Sequence, residues 1–131
     1  MIMKQNWVMD YETMSNCFIA VFQDVKSDDT RTFVVHDLQN DWDDFIEFLK
    51  RNILHGEWHV SYNGLGFDGQ ITEYIIQNAG SLSFMTGCEI AEWIYGKAQY
   101  VINKQGSGEF LDFYEKTMSK ANRCIQIKSL G

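Results

Sequence analysis

The chain has 131 residues, 45% apolar and 15% aromatic, which fits one domain built on a hydrophobic core and excludes a disordered chain. No run approaches the roughly 18 apolar residues of a membrane span, and the first residues lack a secretory-signal pattern. A net charge of −7 argues against holding nucleic acid by bulk electrostatics, and three cysteines without metal-like spacing (Cys17, Cys88, Cys124) read as reduced, buried thiols of an intracellular, cytoplasmic protein.

Trp7 to Tyr11 reads as a strand that carries Asp10-Tyr11-Glu12. Cys17 to Phe22 is a second, buried strand, Asp28-Asp29-Thr30 a turn, and Thr32 to His36 a third strand. Short connections between them predict an antiparallel meander. Asp41 or Asp43 then caps a helix with Phe45, Ile46, Phe48, Leu49 and Ile53 on one face, and Gly56 ends it. Asp37, Asp41, Asp43, Asp44 and Glu47 read as a solvated acidic cluster around that helix start, where carboxylates suit the dipole. Trp58 to Tyr62 is a fourth strand. Phe67 to Asn78 is a second helix, with Ile71, Tyr74 and Ile75 facing a core and Gly80 after it. Cys88 to Tyr95 reads as helical, Gly106-Ser107-Gly108 as a loop, Glu109 to Met118 as another helix, and Cys124 to Ile127 as a fifth strand. The order is βββαβα, followed by a less regular stretch that stops at Gly131 where a further helix is expected.

Asp10 and Glu12 are two apart on a strand, so both side chains leave the same face. Their oxygens suit hard cations such as magnesium or manganese. Two such ions about 4 Å apart can activate water and stabilise the leaving oxygen of a phosphodiester. Asp68 follows the fourth strand at a helix start. An Asp there ordinarily caps the helix, but a strand-four turn next to strand one would also carry it towards Asp10. Asn63 then offers an amide to a sugar or phosphate and Phe67 a face for base stacking, where the plainer roles are a turn residue and a core anchor.

Two other patterns compete. Gly64-Leu65-Gly66-Phe67-Asp68-Gly69 matches G-x-G-x-x-G between a strand and a helix, with Glu89 about twenty residues on. A carboxylate in the turn meant for a pyrophosphate, and a meander in place of βαβ, argue against a nucleotide cofactor. His36 to Asp41 has H-x4-D spacing but falls between the acidic motifs. His55 and His59 show no ligand pattern, and His59 reads as an ordinary sheet residue. Nothing resembles a Ser/His or Cys/His nucleophilic site.

Trp7-Val8-Met9-Asp10-Tyr11-Glu12-Thr13 resembles the first motif of DEDD 3′–5′ exonucleases, D-x-E followed by Thr. Tyr62-Asn63-Gly64-Leu65-Gly66-Phe67-Asp68 resembles their second motif, N-x3-F-D. The version most similar is the N-terminal proofreading domain of viral family B DNA polymerases. The resemblance covers Trp7 to Asn78 well and the rest loosely, with residues 1–131 taken as one exonuclease-like domain. It implies an α/β, ribonuclease-H-like mixed sheet with a βββαβα start and flanking helices, lacking the last helix. It implies that Asp10 bridges two divalent cations, that Glu12 binds one and Asp68 the other, and that Thr13, Asn63 and Phe67 touch a single-stranded DNA 3′ end. The implied reaction releases a nucleoside monophosphate from that end. The family's third motif, Y-x3-D or H-x4-D, is missing: Met118 stands four residues after Tyr114. This departure leaves open a truncated or split polymerase, completed by its remainder or by another subunit. The alternative is a non-catalytic remnant that binds single strands or a protein partner. A third reading, resting on the charge alone, is an acidic mimic of nucleic acid.

Overall fold

The computed structural model describes residues 4–61, 67–105 and 124–126. Three strands open the fold: β1 (Trp7–Met14), β2 (Cys17–Asp24) and β3 (Thr30–Val35). Both junctions are antiparallel, with Tyr11 opposite Ala20 and Ala20 opposite Phe33. The expected meander is therefore present: β1 and β2 run three and two residues further than expected, and β3 starts two residues earlier and ends one earlier, at Val35. Alternation decides the faces. Trp7, Met9, Tyr11, Phe18, Ala20, Phe22, Phe33 and Val35 are buried on one side, whereas Val8, Asp10, Glu12 and Met14 are exposed on the other.

The crossover helix α1 (Trp42–His55) buries Trp42, Phe45, Ile46, Phe48 and Leu49 against that inner face. Phe22, Phe33, Phe45 and Phe48 meet edge-on or tilted at centroid distances of 4.7 to 6.1 Å, the geometry that suits the ring quadrupole. Asp41 sits at the N-cap without a capping bond. Its carboxylate instead accepts the Val34 N–H and the Gln39 side-chain amide, each at 2.9 Å, and so ties the helix start to the edge of β3. Gly56 ends α1 as expected. Its φ of 63° is left-handed, and Glu57 N–H closes the last turn on Asn52 O at 2.8 Å.

The chain then enters β4 (Trp58–Val60), parallel to β1 with Trp7 opposite His59 and Val8 opposite Val60. The sheet order is β3-β2-β1-β4-β5, and β5 (Cys124–Gln126) runs antiparallel to β4. Helix α2 (Gly69–Leu82) starts two residues later than expected and runs through Gly80 to Leu82. Gly80 does not stop it, because its φ is ordinary and the chain supplies Leu82 as a further buried contact. Helix α3 (Gly87–Gln105) is also longer than the apolar run from Cys88 to Tyr95 indicates, burying Ala98 and Val101 in its extra turns. The expected loop at 106–108 and the helix at 109–118 lie outside the described residues. Cys17 and Cys88 are free, as expected, but half-buried and not fully enclosed.

Helices α1, α2 and α3 share one core with the inner face of the sheet. The start of α3 is fixed by close approach. A Cβ on Gly87 would lie 2.4 Å from His36 O, and Cys88 N–H donates to Asp37 Oδ1 at 2.9 Å. Thr86 and Glu89 form a reciprocal capping box beside it, at 2.9 and 3.2 Å. Gly87→Ala is therefore expected to lose about 1–3 kcal/mol, because backbone faces the new methyl and a chain shift is the only relief. Urea unfolding against wild type, with unchanged far-ultraviolet dichroism, measures it.

Candidate active site

Strand order places the acidic motifs. The chain moves from β1 to β2 and β3 on one side, then crosses by α1 to β4 on the other. The β1–β4 junction is thus the point where the sheet order reverses, and crevices form at the carboxyl ends of such parallel pairs. The pairing covers Trp7 and Val8 only. Past Val60 the neighbouring strand ends, while β1 continues through Asp10 and Glu12. The start of α2 brings Asp68 to this open flank.

Asp68 is 6% exposed and occupies the N-cap position of α2, yet its side chain makes no capping bond. The capping role expected from its position is absent, because the residue is itself in the helical region (φ −59°, ψ −39°) and carries its carboxyl inward. Its pKa is raised to about 6, chiefly by burial, with Asp10 and Glu12 adding repulsion and the nearby Ser61 hydroxyl opposing. Asp68 thus lies within the electrostatic reach of Asp10 and Glu12. Ser61 is also buried, and its Oγ lacks a hydrogen bond of good geometry among the described residues. Behind Asp68, Tyr11 and Thr72 share a 2.5 Å hydrogen bond. Burial pushes the Tyr11 phenol well above its usual range, so it stays a neutral hydroxyl, with Asp68 adding in the same direction.

Asp10 and Glu12 project from the outer face of β1, as their spacing requires, and both are exposed. Thr13 follows, half-buried, on the Tyr11 side of the strand. Phe67 is half-buried with its ring packed against the core, which favours the anchoring role over a fully presented stacking face. Asn63 lies outside the described residues. Ser61, Tyr11 and Thr72 were not singled out by sequence. Thr72 stands four residues after Asp68 on one helix and Tyr11 lies between the two strand acids, so helical and strand periods together are the signal.

Hard carboxylate oxygens suit a divalent cation, and an ionised Asp68 beside two further acids would gain from one. Among the described residues, however, no group of three or more His, Cys, Asp and Glu side chains is drawn together as a ready ligand set. The competing sites find structural explanations. Glu89 serves the α3 capping box, His36 Nδ1 accepts the Leu38 N–H at 3.1 Å, and Asp41 holds the edge of β3. No helix among the described residues is long and apolar enough to cross a membrane. No protein-family model, curated protein or solved structure matches the chain.

Proposed function

We propose that this chain is a ribonuclease-H-like, DEDD-type 3′–5′ exonuclease domain related to the proofreading domain of viral family B DNA polymerases. The observation that carries the reading is Asp68: buried, without a capping bond, and with its pKa raised chiefly by that burial and further by Asp10 and Glu12. A helix-capping or solvated acid would have none of these properties. The element order βββαβ and the sheet order β3-β2-β1-β4-β5 support the fold part of the reading.

In this reading Asp10, Glu12 and Asp68 would hold two divalent cations, magnesium or manganese, which would supply an activated water and charge neutralisation at the scissile phosphate. The chain's own residues orient and exclude. Tyr11 and Thr72, hydrogen-bonded to each other, give the buried carboxyl of Asp68 a neutral neighbourhood. Ser61 offers an unpaired hydroxyl to that carboxyl. The exposed side of Asp10 and Glu12 leaves room for the 3′ end of a single DNA strand.

A second reading follows from the absence of a ready three-ligand cluster among the described residues. In it the domain is a non-catalytic remnant that binds single strands or a polypeptide, or one part of a split polymerase completed by another chain. The deciding experiment is digestion of 5′-labelled single-stranded DNA with magnesium or manganese, comparing wild type with Asp10→Ala. Stepwise shortening from the 3′ end, weakened at least ~100-fold in the variant, is expected. A folded wild-type chain that leaves the DNA intact would sink the catalytic reading and favour the remnant.

A further inference from the structure

A second candidate site lies away from the carboxylates, in a cavity of about 460 Å³ between α2 and α3 lined by Tyr74, Glu89, Glu92, Trp93, Gly96 and Lys97. Its walls come from the outer stripe of α3, where positions three and four apart stand on one face while Ile90, Ala91, Ile94 and Ala98 face the core. Trp93 is 56% exposed, a large apolar area for a side chain with no role in the core. Gly96 lines the cavity and leaves it open, since a Cβ there would meet nothing within 4 Å.

The charges around the cavity select its occupant. Lys97 Nζ sits 5.8 Å from the Tyr74 ring centroid and 5.0 Å from that of Tyr100, so this ammonium is already held by two aromatic faces. Glu89 is engaged by Thr86. Glu92, one turn on and beside Trp93, has no hydrogen bond or ion pair among the described residues. Among the described lining residues, two carboxylates stand against one committed cation, a net negative balance that repels phosphate. An indole face next to an unengaged carboxylate fits a planar cation, because guanidinium stacks on the ring while its N–H fork pairs with the acid. The aliphatic stem of such a side chain would lie over Gly96 towards Tyr74.

We propose that the groove between α2 and α3 takes an arginine side chain presented by a partner polypeptide, stacked on Trp93 and paired with Glu92. This inference is independent of the exonuclease reading. The test is a two-dimensional NMR titration of the full chain with acetyl-Ala-Arg-Ala-amide, following the Trp93 indole resonance assigned through Trp93→Phe. Saturable shifts at Trp93 and Gly96 are expected, with the neutral citrulline peptide and the Glu92→Gln variant each at least about tenfold weaker. Gly96→Leu, whose Cβ would meet nothing within 4 Å, should block binding while melting no lower than wild type. Equal binding of the citrulline peptide, or unchanged binding by Glu92→Gln, would overturn the proposal. So would larger shifts of the same resonances by guanosine monophosphate, or no shift at about 10 mM peptide, about tenfold above a weak millimolar Kd.

Discussion

Asp68→Asn is expected to make the protein more stable at neutral and alkaline pH while abolishing its response to divalent metal. The folded-state pKa of about 6 lies above the ordinary value of 3.8. A carboxyl shifted in this direction contributes to the fold fully below its unfolded pKa, when it is neutral in both states. That contribution is lost as pH rises through 6, because the folded chain must then ionise a buried group beside Asp10 and Glu12. The loss is on the order of 3 kcal/mol by pH 8, one pKa unit being about 1.4 kcal/mol. An amide cannot ionise, so the variant avoids it. Calorimetric melting should show the variant higher by several degrees at about pH 8 and converging with wild type near pH 4. Manganese should raise the wild-type melting temperature at about pH 8 by preferential binding to the folded state, and should leave the variant unmoved. Identical melting of the two proteins across this range would show that Asp68 is not a desolvated, ion-accepting carboxylate.

Glu57→Ala is expected to have the largest destabilising effect, at the opposite end of β1. Glu57 is fully buried where α1 gives way to β4. Trp7 Nε1–H and Gln5 N–H donate to its carboxylate at 3.1 and 2.9 Å, and Arg51 and His55 approach it to 4.0 and 3.7 Å. The Asn52 amide, with its oxygen accepting from His59 Nε2 at 2.7 Å, also donates to Glu57 Oε1 at 2.7 Å. Burial lowers the His59 pKa to about 4, so this ring is neutral and its Nδ1 is an acceptor lacking a partner among the described residues. His59 is thus part of a buried polar network, not an ordinary sheet residue. Gln5 extends the network, bonding Asp24, Asp29 and Arg51, and the Arg31 guanidinium covers the Trp7 ring at 5.5 Å. Removing the carboxylate strands buried donors and an arginine at once, a loss of about 3–5 kcal/mol. Glu57→Gln keeps an acceptor for Trp7 and should lose less than half as much. Urea midpoints of the two variants measure the difference. A Glu57→Ala midpoint within experimental error of wild type would mean that the network contributes nothing to the fold.

Local periodicity set much of this architecture. The two-residue alternation of β1 to β3 placed Asp10 and Glu12 on one face, and apolar spacing in α1 with Gly56 after it gave that helix within a residue of its true end. Short connections implied the meander, since antiparallel neighbours need only a turn. These are interactions between residues close in the chain, so the sequence displays them directly.

The remainder depended on contacts between distant segments. Gly80 looked like a helix stop, but Leu82 finds the core and the helix continues to it. Asp68 read ordinarily as a helix cap and only in combination with Asp10 and Glu12 as a ligand, and the β1–β4 register, which ends at Val60, leaves the flank where it is buried within their electrostatic reach. Glu57 had no signal at all, because its partners Gln5 and Trp7 lie about fifty residues away and a single acid before a strand reads as solvated. Sequence by itself thus determined the strands, the helices and the face from which two acids project. Tertiary structure decided which carboxylates are removed from water, because desolvation depends on what the rest of the chain packs around them.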